Sequence, residues 1–154
     1  MNTLRTVVVI ISANAEWLAI RDRIAVGGTL EQTPYGEALS VVSAAQDVAG
    51  TIVYMHGGWG KIAAAGSAQY AIDYWHPDLL INLGTCGGFD GDILPGTLIA
   101  VDYTLAYDVY ELMGDPDEAL AHYATELDLS WLSGPMPAPF KRGMLISADR
   151  DIVS

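Results

Sequence analysis

The chain has 154 residues, of which 51% are hydrophobic and 17% charged, a composition typical of one globular domain rather than of a disordered segment. Its 19 acidic and 7 basic residues give a net charge of −12, which disfavours nucleic acid and anionic membrane as partners because both are bound through clustered Lys and Arg. No apolar run reaches the roughly 18 residues that span a bilayer, and the single cysteine, Cys86, excludes an intrachain disulfide and fits a reducing compartment, so we expect a cytoplasmic protein.

Strands alternate with helices in the first half of the predicted fold. Residues 6–12 are apolar throughout and rich in β-branched side chains, as expected of a strand that is covered on both faces. The next segment places Trp17, Ile20 and Ile24 on one face of a helix, which two glycines then end. In chain order we predict a strand over 6–12, a helix over 16–24, strands over 29–33, 38–44 and 48–55, an Ala-rich helix over 61–75 and a strand over 78–83.

The second half of the chain is less regular. It predicts a strand over 97–103, a short helix that begins near Asp115, a loop or extended segment over 134–139 and a last strand over 143–147. Since we find neither a repeat nor a linker, we expect a single α/β domain over 1–154 with a mixed sheet. A helix would normally cover the last strand of such a sheet, so we expect either that another chain supplies this segment or that the fold is incomplete at its C-terminus.

A glycine-rich turn follows the strand predicted over 78–83. Residues 82–88 read NLGTCGG, which brings backbone N–H groups and the Thr85 hydroxyl to the carboxyl end of a strand. Open α/β folds bind small ligands at this edge. The residues by themselves are consistent with either a ligand loop or a tight turn that is capped by its threonine.

Five segments in order resemble one family: ISANAE at 11–16, GWGKIAAA at 58–65, NLGTCGG at 82–88, GDI at 91–93 and GMLISAD at 143–149. Together they resemble the nucleoside phosphorylase superfamily, and the most similar branch is the methylthioadenosine/S-adenosylhomocysteine nucleosidases. The resemblance implies a three-layer α/β/α fold around a central mixed sheet. It also implies a homodimer that needs no metal or other cofactor and that cleaves the N-glycosidic bond of a purine nucleoside.

The resemblance also implies roles for individual residues. Glu16 matches the glutamate that orients the attacking water, although its position alone fits an ordinary acid in the first turn of a helix. Thr85 matches the hydroxyl residue of the sugar site, and we expect the Cys86 side chain to be a small buried thiol. The remaining matched positions supply contacts to the base and ribose; they are Gly84, Cys86, Gly87, Asp151 and Ile152, of which Asp151 replaces a residue that is usually apolar in the family.

Two departures from the family pattern bear on the reaction. Phosphorylases of the family hold phosphate with arginines in the loop after the first strand and just before the glycine turn. The corresponding segments here, 12–15 and 80–83, contain no Arg, which favours hydrolysis over phosphorolysis. The family's later half carries a Met-Glu pair for ribose and an Asp that protonates the purine, and no such segment follows Ser154, so we expect the 154-residue chain to be inactive alone.

Two alternatives to a nucleosidase therefore stay open at this stage. The first is a phosphate-dependent purine nucleoside phosphorylase with an unusual phosphate site. The second is a non-catalytic module that binds a nucleoside without turning it over. The residues do not indicate which substituent the nucleoside carries at its 5′ position.

Overall fold

The computed structural model describes residues 5–24, 27–43, 50–109, 111–132 and 139–150. The chain forms two compact units, Met1–Cys86 and Gly87–Ser154. Within the described ranges, no helix combines the length and the apolar character needed to cross a membrane. The expectation of a single domain over 1–154 stays a prediction.

A five-stranded mixed sheet with two helices makes up the first unit. Its strands lie in the order β2-β3-β4-β1-β5, where β4, β1 and β5 are parallel and the pairs β2-β3 and β3-β4 are antiparallel. The elements are β1 (Arg5–Ile11), α1 (Asn14–Ile24), β2 (Thr29–Gln32), β3 (Glu37–Ser43), β4 (Gly50–His56), α2 (Gly60–Trp75) and β5 (Leu79–Asn82). All seven elements were predicted, with ends that differ by a few residues.

The two helices cover opposite faces of this sheet, which gives three layers. Alternation along β1 directs Val8 and Ile10 to one face, where α2 packs with its buried Ala71. The alternate residues of the strand meet α1 on the other face, and Trp17 is the buried anchor of that helix. Because β1 is buried on both faces, its sequence is apolar throughout, as the first strand was predicted to be.

The bounds of α2 follow from its end residues. Gly60 has a φ of 78°, a left-handed conformation that glycine adopts without steric cost. At the other end His76 caps the helix with a φ of 46°, and its amide donates to the Ile72 carbonyl. Pro77 follows and cannot continue the helix, and β5 begins two residues later at Leu79.

The second unit contains a smaller sheet in the order β7-β6-β8, with β6 parallel to β8 and antiparallel to β7. Its elements are β6 (Ile99–Ala106), α3 (Pro116–His122), β7 (Ala124–Glu126) and β8 (Lys141–Ser147). Asp115 begins α3 as predicted, since its side chain accepts a hydrogen bond from the Asp117 amide at 2.9 Å. The sequence did not predict β7, and the loop or extended segment expected over 134–139 lies outside the described residues except at its last position.

Candidate active site

The topology of the first unit brings three loops to one edge of its sheet. Strand β1 lies between β4 and β5, and all three are parallel, so their carboxyl ends lie side by side. The loops continue this pairing, because the Gly57 amide donates to the Ile11 carbonyl and the Leu83 amide to the Ile10 carbonyl, both at 2.9 Å. Ligands bind at such an edge in open α/β sheets.

Glu16 and Thr85 meet at this edge although they are 69 positions apart in sequence. Glu16 Oε1 accepts one hydrogen bond from the Thr85 amide and another from Thr85 Oγ1, each 2.6 Å long. Glu16 reaches the contact from the first turn of α1, and Thr85 reaches it from the loop after β5. The structure therefore brings together the two side chains for which the family resemblance implied catalytic and sugar-binding roles.

Gly84 allows the carboxylate to approach this loop. A Cβ atom at this position would lie 3.2 Å from Glu16 Oε2 and 3.4 Å from Oε1, closer than ordinary van der Waals contact. Gly57, in the neighbouring loop, is more crowded, since a Cβ there would lie 2.5 Å from Ile10 Cγ2. Both glycines therefore serve close packing at the carboxyl edge, which a side chain would disrupt.

The environment of Glu16 favours its ionised form. Partial burial raises the pKa of Glu16, but hydrogen bonds from the Thr85 hydroxyl, the Thr85 amide and the Ala13 backbone outweigh burial and lower the pKa below its ordinary value. The positive end of the α1 dipole acts in the same direction. Glu16 is consequently a carboxylate at neutral pH.

The remaining predicted site residues have different outcomes. The prediction of a buried Cys86 thiol is wrong, because the residue is exposed. Cys86 lies in a run over 82–92 that is exposed throughout, so its thiol does not belong to the buried core of the first unit. A Cβ at Gly87 would meet no described atom within 4 Å, and Asp151 and Ile152 lie outside the described residues.

A polar cluster beside Glu16 was not predicted from the sequence. Trp17 is 2% exposed, and its indole Nε1 donates to Glu37 Oε2 at 3.0 Å. Arg21 Nη1 approaches the same oxygen at 3.4 Å, and the His56 ring stacks on Trp17 with a centroid distance of 5.6 Å. The available signal was the strand period, which places Glu37 and His56 on the sheet face that the apolar side of α1 covers.

The side chains that could bind a metal ion lie apart from one another in the described part of the chain. Within those ranges, no three residues among the His, Cys, Asp and Glu side chains are grouped so that they could hold a metal ion.

Comparison with known proteins places the chain in a family. Its sequence matches the phosphorylase superfamily over residues 7–151, so the chain belongs to that superfamily. A 5′-methylthioadenosine/S-adenosylhomocysteine nucleosidase of Marinomonas sp. is 31% identical to it over 80 residues, which are 49% of this chain and 35% of that protein. The chain thus matches about a third of the length of this curated relative.

Solved structures of nucleoside-cleaving enzymes have the same fold. The Neisseria meningitidis 5′-methylthioadenosine/S-adenosylhomocysteine nucleosidase, in complex with methylthio-immucillin-A, has a TM-score of 0.70 at 22% identity, over 96% of this chain and 66% of that one. A futalosine hydrolase mutant of Helicobacter pylori has a TM-score of 0.74 at 15% identity, over 100% of this chain and 73% of that one. The predicted nucleoside phosphorylase-like α/β fold with a mixed sheet is therefore confirmed.

Proposed function

We propose that the protein is a purine nucleosidase that hydrolyses the N-glycosidic bond of methylthioadenosine- or S-adenosylhomocysteine-type nucleosides, with Glu16 orienting the attacking water. The contact of Glu16 with Thr85 at the carboxyl edge of the sheet is the observation that carries this proposal. Membership of the phosphorylase superfamily and the similarity to a Marinomonas nucleosidase support it.

The chemistry of glycoside cleavage requires an anion at this place. As the bond from C1′ to the purine nitrogen breaks, the ribose acquires oxocarbenium character, which a nearby carboxylate stabilises. Glu16 is suited to this role because its lowered pKa keeps it ionised. Its low basicity also implies that alignment and charge, rather than early proton removal, are its main contributions.

We assign the two carboxylate oxygens of Glu16 to different tasks. Both hydrogen bonds from Thr85 reach Oε1, which fixes the orientation of the carboxylate. Oε2 then accepts a hydrogen bond from the water and receives its proton as the water oxygen bonds to C1′. The purine leaves with the electrons of the broken C–N bond and takes a proton from an acid that the resemblance places in the later half of the family's sequence.

Hydrolysis is favoured over phosphorolysis by the charges near the site. Phosphate is commonly held by bidentate arginines, and neither segment 12–15 nor segment 80–83 contains one. Arg21, the first arginine after segment 12–15, contacts Glu37 at 3.4 Å and Asp22 at 3.2 Å. We further propose a cytoplasmic homodimer that acts without metal, as the resemblance implies.

The test is the release of adenine from methylthioadenosine, with and without phosphate, by the longest form of the gene product, whose intact mass is measured in parallel. We expect phosphate-independent release, and a loss of about 10²-fold or more in Glu16→Gln with binding of the nucleoside retained. Glu31→Gln is the matched control, since Glu31 accepts a hydrogen bond from Tyr74 in a pair apart from Glu16 and Thr85. Wild-type activity in Glu16→Gln would refute the role of Glu16.

Two other outcomes identify the alternatives. Release that requires phosphate would establish a phosphorylase. Binding without release, in the longest form of the gene product as well as in the 154-residue chain, would establish a non-catalytic nucleoside-binding module.

A further inference from the structure

Trp17 directly follows Glu16 in sequence, and three contacts hold it in place. Its amide donates to the Ala13 carbonyl at 2.9 Å and so begins the hydrogen bonding of α1. Its indole N–H donates to Glu37 at 3.0 Å, and its ring lies nearly parallel to that of His56, with an angle of 2° between the planes. The side chain next to Glu16 therefore has one defined position in the sheet–helix interface.

The partners of Trp17 are placed by strand geometry. Glu37 begins β3 and His56 ends β4, and the antiparallel register, in which Ala38 lies opposite Met55, brings these two ends together. Alternation directs both side chains to the face that packs against α1, since Leu39 and Tyr54 belong to that cluster. The anchor of Trp17 thus belongs to the sheet and not to a mobile loop.

Glu37 is an ionised acceptor, which strengthens its hydrogen bond to Trp17. The Trp17 indole is the largest cause of the lowered Glu37 pKa; burial opposes it, and Arg21 and His56 lower the pKa further. Hydrogen bonds to a charged partner are roughly twice as strong as neutral ones. Replacing the Glu37 carboxylate by an apolar side chain removes this bond. An amide at the same place still offers an acceptor oxygen to the Trp17 indole.

Helix geometry couples this anchor to the carboxylate of Glu16. Successive side chains of an α-helix differ by about 100° around the axis, because a turn contains about 3.6 residues. When the Trp17 ring is held against the sheet, the rotation of α1 about its axis is restrained, and so is the direction in which the Glu16 side chain leaves the helix. Glu16 is then held between this anchor and its contact with Thr85.

We propose that Trp17 and Glu37 are positioning residues for Glu16, because their hydrogen bond sets the rotation of α1 that holds the Glu16 carboxylate against Thr85. The effect of these residues on turnover rests on the proposed nucleosidase function. Their effect on the geometry of Glu16 does not, so the two ideas are tested by separate measurements.

The first measurement is the titration of the Glu16 carboxyl carbon by NMR in the 154-residue chain, with its signal assigned from Glu16→Gln. Trp17→Phe keeps an aromatic ring on His56 but loses the N–H donor, and Glu37→Leu loses the acceptor. In both variants we expect the pKa of Glu16 to rise toward its ordinary value as the hydrogen bonds from Thr85 weaken. Glu37→Gln retains an acceptor, so we expect Glu16 to titrate in this variant nearly as it does in the wild type.

Tyr74→Phe is the matched control, because it deletes a hydrogen bond from an aromatic side chain on α2 to a β2 carboxylate, a 3.4 Å contact with Glu31. The double variant of Trp17→Phe with Glu37→Leu adds a second check. If one hydrogen bond connects the two residues, the double variant shifts Glu16 no further than the larger single change. Fully additive shifts would contradict this connection.

Turnover is the second measurement, in the form of the protein that releases adenine. We expect kcat to fall about tenfold or more in Trp17→Phe, since misplacing a catalytic group by about 1 Å costs up to ~10²-fold, with KM nearly unchanged. Folded variants whose Glu16 titrates as in the wild type would overturn the positioning role, whatever the activity. A shifted Glu16 titration, with no adenine release by the longest form of the gene product, would instead retain the positioning role and refute the nucleosidase.

Discussion

Adding one methyl group at Gly84 should disturb Glu16 without unfolding the protein. The Cβ of Gly84→Ala would lie 3.2 Å from Glu16 Oε2 and 3.4 Å from Oε1. The carboxylate must therefore move by a few tenths of an ångström, and both of its 2.6 Å hydrogen bonds from Thr85 lengthen. Gly84 does not have a positive φ, so alanine fits its backbone without strain.

The size of the effect follows from these two hydrogen bonds. A hydrogen bond to a charged group contributes about 1.5–3 kcal/mol, and because Thr85 is exposed and the bonds are lengthened rather than lost, we expect a cost of about 1 kcal/mol. That cost corresponds to roughly a fivefold fall in kcat, since about 1.4 kcal/mol is tenfold. Stability should change little, because Gly→Ala also removes about 0.4–1 kcal/mol of unfolded-state freedom.

The assay combines the NMR titration of Glu16 with adenine release and thermal unfolding. Gly87→Ala is the matched control for the titration, because a Cβ at Gly87 would meet no described atom within 4 Å. We expect the pKa of Glu16 to rise in Gly84→Ala and to stay unchanged in Gly87→Ala. If Glu16 titrates identically in the wild type and both variants, the close packing of Gly84 against Glu16 is refuted.

Three further predictions concern the same unit. Thr85→Val should raise the pKa of Glu16 while Thr85→Ser leaves it nearly unchanged, because only valine lacks the donating hydroxyl, and NMR titration distinguishes them. Because the folded-state pKa of Glu16 is lowered, its ionised side chain stabilises the fold above the unfolded-state pKa, and this effect is lost as the pH falls through the folded-state pKa. Glu16→Gln should therefore have a lower free energy of unfolding than the wild type at neutral pH and approach it in acid. Equal differences at both pH values would contradict this linkage. Met55→Ala should reduce the free energy of unfolding by about 2–5 kcal/mol in urea titrations, because Met55 is fully buried between the sheet and α2, and a change below about 1 kcal/mol would argue against that packing.

Local patterns in the sequence were sufficient for most of the secondary structure. The apolar run of β1, the small residues of α2 and the break at Pro77 each act within a few positions along the chain. For the same reason the Asp115 cap of α3 was readable, whereas the short strand β7 was not. A three-residue strand has too few side chains to show a period, and only its pairing with β6 defines it.

The candidate site was only partly readable in the same way. The resemblance to a known family singled out Glu16 and Thr85, but no local rule implied that their side chains touch. Their contact depends on β1 lying beside and parallel to β5, a pairing between residues about 70 positions apart. The exposure of Cys86 was not readable either, because a free thiol is usually buried and its neighbours in sequence do not decide its exposure.

The sequence by itself thus determined most of the elements and the residue types capable of the chemistry, because periodicity, capping and charge are local properties. The tertiary structure alone decided which of these residues meet, and the clearest case is the anchoring of Trp17 by Glu37 and His56. These residues come from a helix and two strands, and each looks ordinary in its own segment. Their combined effect on Glu16 arises only when strand pairing and helix packing place them on one face of the sheet.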